Sequence, residues 1–171
     1  MNLYIGIDLG TSAVKLLLMD ELGEIKNVVT KEYPLEFPYP GWSQQNPEDW
    51  RKAVMEGIPE LLRGFDGQQV AGIGCGGQMH GLVILDDEDN VIRPAILWND
   101  GRTAKQVDYL NNEITKQKLS ELTANIAFAG FTAPKVLWIK ENEPENFRRI
   151  AKIMLPKDYV NYILTGVHAC D

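Results

Sequence analysis

The feature that most constrains this chain lies in its first twenty residues. Leu3-Tyr4-Ile5-Gly6-Ile7 reads as a strand, and Val14-Lys15-Leu16-Leu17-Leu18-Met19 reads as the next. Between them runs Asp8-Leu9-Gly10-Thr11-Ser12, longer than the two residues a tight hairpin needs. Gly10 removes side-chain bulk where a ligand can approach the backbone. Thr11 and Ser12 add hydroxyls beside freed backbone N–H groups, and Lys15 follows in the second strand. A loop of this kind suits phosphate oxygens. Asp8, ending the first strand, suits Mg²⁺ held through water, because that ion keeps several waters and takes few carboxylates. Neither Gly-Lys-Ser nor Gly-Lys-Thr follows and no helix opens here, so this is not a Walker A loop. Asp-x-Gly alone would be an ordinary hairpin turn. The strand, the Asp-x-Gly-Thr-Ser run and the Lys-bearing second strand together favour phosphate.

Asp20 to Glu24 is a polar turn with Gly23 at a position suited to positive φ, and Ile25 to Tyr33 reads as a third strand. Three strands on short turns make an antiparallel meander. Pro34, Pro38 and Pro40 interrupt regular pairing. A helix then starts with Asn46 as N-cap, Pro47 at the first position, and Glu48 and Asp49 at the positive end of the dipole. Its apolar residues are Trp50, Val54, Ile58, Leu61 and Leu62, and Pro59 is expected to bend it. Val70 to Cys75 reads as a buried strand. Leu82 to Leu85 and Val91 to Arg93 read as a hairpin around Asp86–Asn90, and Ala95 to Trp98 as a short strand. Residues 101–149 read as mainly helical, with Ala104, Val107, Leu110 and Ile114 as one apolar stripe. Lys152 to Leu155 is a last strand, and Pro156 opens a helix ending near Gly166. The fold class is α/β with a mixed sheet. The 171 residues allow one domain or most of one.

A net charge of −7 argues against a general nucleic-acid binder, without excluding a small anionic ligand. No apolar run approaches the ~20 residues of a membrane span, and no signal peptide precedes the first strand, so the cytoplasm is the expected location. Cys75 and Cys170 make no disulfide framework. Cys75, in a glycine-rich run, reads as a small buried residue rather than a reactive thiol.

Two further segments carry polar groups at strand ends, a usual ligand position in α/β sheets. In Gly76-Gly77-Gln78-Met79-His80-Gly81, glycines surround a polar triplet; a lone His there also reads as a cap on a nearby carbonyl. A metal at His80 is not expected, since the other histidine, His168, has no ligand pattern around it. In Pro94 to Arg102, the cluster Trp98-Asn99-Asp100 with Arg102 suits polyol hydroxyls. The same groups equally suit an internal salt bridge and an N-cap at Asp100.

Together with Gly130-Phe131-Thr132-Ala133-Pro134-Lys135 and Leu155-Pro156-Lys157-Asp158-Tyr159, these segments resemble the FGGY carbohydrate kinases along essentially the whole chain. The first turn resembles the first phosphate motif of the wider superfamily of sugar kinases, heat-shock ATPases and actin. That resemblance implies a ribonuclease H-like, two-lobed fold with ATP and Mg²⁺ in the cleft. It implies a phosphate and metal role for Asp8, phosphate contacts from Gly10, Thr11, Ser12 and Lys15, and sugar contacts from Gln78, Met79, His80, Trp98, Asn99, Asp100 and Arg102. Glycerol-using members carry Arg-Glu at Met79-His80, and the Gln78-Met79-His80 triplet with Trp98-Asn99-Asp100 points to the branch that phosphorylates D-xylulose. Gly130, where those members carry Tyr, is expected to leave room for the longer sugar. Other sugars (ribulose, gluconate, glycerol) and a non-catalytic sugar-binding module are the alternatives, with a homodimer as a possible assembly. Residues 1–171 correspond to the family's N-terminal domain. The catalytic base, the second phosphate motif and the adenosine pocket are expected beyond Asp171, in a continuation of the segment from Thr165, so the fragment alone is expected to be inactive.

Overall fold

The computed structural model describes residues 2–170, so Asp171, the last residue of the segment expected to continue, lies outside them. In chain order the elements are β1 (Leu3–Leu9), β2 (Ala13–Asp20), β3 (Ile25–Glu32), β4 (Gln44–Gln45), α1 (Pro47–Leu61), β5 (Val70–Gly77), β6 (Val83–Leu85) and β7 (Ala95–Ile96). There follow α2 (Ala104–Tyr109), α3 (Lys116–Thr123), α4 (Thr132–Asn142), α5 (Pro144–Arg149), β8 (Lys152–Met154) and α6 (Pro156–Thr165). The chain forms two compact units. One comprises the described residues of Met1–Leu35, Asn46–Gln78 and Pro156–Asp171; the other comprises Glu36–Gln45 and Met79–Leu155.

The first unit is built on a mixed four-stranded sheet of order β3-β2-β1-β5. The meander is antiparallel, with Asp8 opposite Lys15 and Leu16 opposite Val29, and β5 runs parallel to β1 with Asp8 opposite Gly76. Period-2 patterning puts Leu3, Ile5, Ile7 and Leu9 on one buried face of β1, joined by Val14, Leu16 and Leu18 of β2. Helix α1 packs on β2 and β3, burying Trp50, Ala53, Val54, Gly57 and Leu61. A Cβ at Gly57 would stand 2.8 Å from Leu16 Cδ1, so the missing side chain sets how closely helix and sheet approach. Asn46 caps α1 by accepting from the Glu48 N–H, and Pro47 opens it, as expected. Pro59 falls in its last turn. Helix α6 packs on α1 and β5, and Tyr159 Oη donates to Glu48 Oε1 at 2.6 Å.

β5 corrects one expectation. It is an edge strand rather than a buried one, with Ala71, Ile73, Gly74 and Gly76 exposed. Its glycines supply little side chain to bury, and β1 is its one strand neighbour among the described residues.

The second unit holds two short antiparallel pairs, β4 with β7 and β6 with β8. Its core gathers Leu82, Ile84, Ile96, Trp138 and Ile139, with Trp42, Ile92, Val136, Phe147 and Ile150 packed around them. The Asp86–Asn90 turn forms, tied by Asp86 Oδ1 accepting from the Glu88 and Asn90 N–H groups. The expected second arm at Val91 contributes a bridge to Leu85, while the β6 ladder runs to β8. The helical expectation for 101–149 is met by four helices, but the stripe is not. Leu110–Thr115 is a π-helical turn between α2 and α3, and its wider winding rotates Ile114 out of register. Val107 and Leu110 are half-buried, whereas Ala104 and Ile114 are exposed.

Candidate functional site

The turn after β1 belongs to the first unit and is held from within. The Gly10 N–H donates to the Ala13 carbonyl at 3.0 Å, closing the loop. A Cβ on Gly10 would lie 2.8 Å from that same oxygen, so the turn itself requires glycine, whatever approaches it from outside. The Gly10 carbonyl accepts from Tyr33 Oη at 2.5 Å and from Gln78 Nε2 at 3.2 Å. The Tyr33 N–H also donates to the Ser12 carbonyl. Burial, and then the nearby Asp8 charge, raise the Tyr33 phenol well above its usual range, so it stays a protonated donor. Gln78 is held in turn by its own N–H, which donates to the Leu9 carbonyl at 2.9 Å. Just before it, Gly77 adopts φ +139°, and a Cβ there would stand 2.5 Å from the Leu9 oxygen. No larger residue fits that close crossing.

This bracing leaves the chemistry outward. Asp8 is exposed, with Lys15 across the ladder on the same sheet face and Gly76 on its other side. Its carboxylate has no hydrogen bond or ion pair among the described residues. Ser12 is exposed and Thr11 half-buried beside it. Asp8, Gly10, Thr11, Ser12 and Lys15 are thus brought together. Gln78, expected beside a sugar, donates to the turn through its Nε2. Tyr33 carried no signal in the sequence beyond its place at the end of the third strand.

In the second unit, Met79 is half-exposed and the His80 ring stacks on Phe131, centroids 4.7 Å apart at 23°. Phe131 meets Phe128 edge-on at 5.1 Å. Met79, His80, Phe131, Leu119 and Ile126 line an open cavity of about 370 Å³. The backbone at His80 is clamped. Its carbonyl accepts from Lys135 Nζ at 2.8 Å and from Thr132 Oγ1 at 3.2 Å. Lys135 is wholly buried and donates also to the Gly130 carbonyl. Burial pushes its pKa down to about 7, with the Asp100 charge opposing that shift and Arg102 adding to it. The sequence marked Lys135 only as the last residue of a family-like segment, with no role of its own.

Gly130 departs from expectation. A Cβ there would lie 2.7 Å from the Trp98 carbonyl oxygen, so glycine permits a backbone contact rather than opening space for a ligand.

Asp100 and Arg102 are corrected most clearly. Of the two readings open for them, the internal ion pair is the one formed. Both side chains are inaccessible, with Arg102 Nη2 2.8 Å from Asp100 Oδ2 and Nε 2.9 Å from Oδ1. Asp100 Oδ2 also accepts the Ser43 N–H at 2.6 Å, and the guanidinium lies 3.8 Å over the Trp42 ring. These contacts pair the two charges and take both groups away from solvent, while Arg102 Nη1 is buried without a hydrogen-bond partner among the described residues. Asp100 does not cap α2, which follows Thr103. Trp98 and Asn99 stay on the surface. Cys75 is half-buried, its pKa pushed up to about 11 chiefly by burial, and its Sγ lies 3.9 Å from the Lys157 carbonyl. No helix among the described residues is long and apolar enough to cross a membrane.

Residues 3–171 match the family model described as "FGGY family of carbohydrate kinases, N-terminal domain". The chain is 49% identical to the xylulose kinase of Lactococcus lactis over 169 residues, covering 97% of this chain and 33% of that protein. To the xylulose kinase of Escherichia coli it is 44% identical, covering 99% of this chain and 34% of that one. The crystal structure of xylulose kinase from Rhodospirillum rubrum superposes with a TM-score of 0.94 at 29% identity, covering 99% of this chain and 35% of that one. The chain therefore spans about a third of the length of the relatives it matches.

Proposed function

This chain belongs to the FGGY family of carbohydrate kinases, as their N-terminal domain with the sugar-kinase, actin-like ATPase fold, and on that premise we propose that its parent enzyme phosphorylates D-xylulose with ATP to give D-xylulose 5-phosphate. The observation that carries the proposal is the braced Asp8–Ser12 turn with an uncommitted carboxylate, in a chain 49% identical to a xylulose kinase.

The residues present fit Mg²⁺ and phosphate. Asp8 offers a hard oxygen donor in the open, with room for the ion's retained waters. Thr11 and Ser12 bring hydroxyls, and Lys15 a point charge on the same face. ATP supplies the transferred phosphoryl group and Mg²⁺ the counter-charge for it. This chain's share of the work is to hold position. Tyr33 and Gln78 fix the Gly10 carbonyl, so the turn keeps its shape without reorganising as charge develops. Met79 and His80 present the sugar-facing surface, with Trp98 and Asn99 as further exposed candidates. Asp100 and Arg102 act as a buried support beneath that segment. The adenosine pocket and the general base belong to the parts of the parent outside these 171 residues. The site of action is the cytoplasm, and a homodimer is the proposed assembly.

The test is a substrate panel on the full-length enzyme: D-xylulose, D-ribulose, D-gluconate and glycerol, each with ATP and Mg²⁺. D-Xylulose should give the highest kcat/KM. His80→Ala should lower that value by about 1–3 kcal/mol if a buried hydrogen bond is lost. Equal use of glycerol and D-xylulose would overturn the assignment.

A further inference from the structure

We propose that Lys135 is a positioning residue for sugar binding, acting through the backbone of His80 and not through contact with the sugar. The proposal rests on the reading of His80 as a sugar contact.

Lys135 lies in the first turn of α4 with its side chain wholly buried. Its Nζ joins two carbonyls that are distant in sequence. One is that of His80, 2.8 Å away, and the other is that of Gly130, the residue before Phe131. Thr132 Oγ1 shares the His80 carbonyl at 3.2 Å. The Gly130 side of this tie is itself fixed, because Gly130 sits too close to the Trp98 carbonyl to carry a side chain. The two segments so joined supply the two stacked rings, His80 and Phe131. The Met79-His80 segment lies between the end of β5 and the start of β6, outside any ladder. Hydrogen bonds from side chains must therefore fix its backbone.

A buried lysine is a costly way to fill space. An uncharged core residue of similar volume would stabilise α4 without the desolvation of an amine. The two groups whose charges act on Lys135, Asp100 and Arg102, are paired with each other. What Nζ adds over a hydrocarbon is directed donors, and two of them reach the carbonyls of His80 and Gly130, on either side of the His80–Phe131 stack.

The experiment uses the full-length enzyme in four forms: wild type, Lys135→Met, His80→Ala and the double variant. KM and kcat are measured for D-xylulose and for ATP, alongside thermal melting. Lys135→Met should raise the D-xylulose KM about tenfold, the size of one lost buried hydrogen bond, while the ATP KM stays within about twofold. In the His80→Ala background, adding Lys135→Met should cost less than about twofold more, because the ring that the tie positions is gone. Full multiplicative effects in the double variant would overturn the proposal, as would a loss confined to kcat and melting temperature with both KM values unchanged. An unchanged kcat/KM for D-xylulose in His80→Ala alone marks a different failure: the sugar-contact reading falls, and the proposal with it. Should Lys135→Met not fold, Lys135→Gln retains a donor, one bond shorter in reach, and the same pattern with a smaller KM rise is expected from it.

Discussion

Asp8, near the end of β1, and Arg102, in the turn before α2, are both charged, yet the fold treats them oppositely. Arg102 is stacked on Trp42 and paired with Asp100, so its charge is spent inside the protein. Asp8 faces outward with nothing committed to it. The carboxylate should matter most where charge develops during transfer. In the full-length enzyme, Asp8→Asn should lower kcat by at least about a hundredfold, the scale of losing one such electrostatic group, and change the sugar KM far less. A kcat close to wild type in steady-state assays would remove Asp8 from the mechanism. Cys75 gives a second expectation at this scale. Burial raises its thiol pKa to about 11, so little thiolate exists at pH 8, and labelling there should be slow. Cys170 is exposed. A thiol-reactive chromophore should therefore modify one cysteine quickly in the native chain and the second only after denaturant, and two rapid equivalents would contradict the burial. The turn residues were legible in the sequence because their arrangement is local: a strand, a glycine, two hydroxyls and a strand. Tyr33, Lys135 and the burial of Asp100 with Arg102 were not, since each depends on partners far along the chain, from 23 residues for Tyr33 and Gly10 to 57 for Ser43 and Asp100.

Among the elements, the meander and α1 are those whose own residues decide them. Alternation on β1 and β2 and the Asn46-Pro47 start of α1 are local patterns, and both formed as read. The expected stripe on the helices after Gly101 failed for an equally physical reason. A period of 3.6 was extended through Leu110–Thr115, where the winding is π-helical. β5 failed differently, because apolar composition does not say whether a strand lies inside a sheet or at its edge. The approach of α1 to the sheet offers an element-scale test. Gly57 lies on the buried face of the helix, and even a Cβ there would press on Leu16. Gly57→Val should destabilise the fold by about 1–3 kcal/mol through overpacking, despite removing a glycine from a helix. Urea unfolding reads this directly. An unchanged or raised midpoint would mean that Leu16 moves aside without cost.

At the scale of the whole molecule, this chain brings about a third of the length of its relatives, with the Asp8 turn and the Met79-His80 segment among its own residues. Phosphoryl transfer requires groups placed around both reacting partners at once. The purified 171-residue chain should show no D-xylulose-dependent release of ADP in a coupled assay, and sustained sugar-dependent turnover would refute that expectation. The first unit is also discontinuous: residues 79–155 interrupt it between β5 and α6. Its meander closes through neighbouring residues, whereas the Tyr159–Glu48 hydrogen bond joins positions 111 apart. Loop-closure entropy rises only slowly with such a separation, but contacts between distant positions slow the search for the native pairing. A ribosome extends a chain by about 5–20 residues per second. During synthesis, then, β1 to β3 can pair and α1 can settle on them for several seconds before α6 exists. The surfaces of α1 and β5 that α6 covers in the finished unit therefore stay open to solvent until that helix is translated.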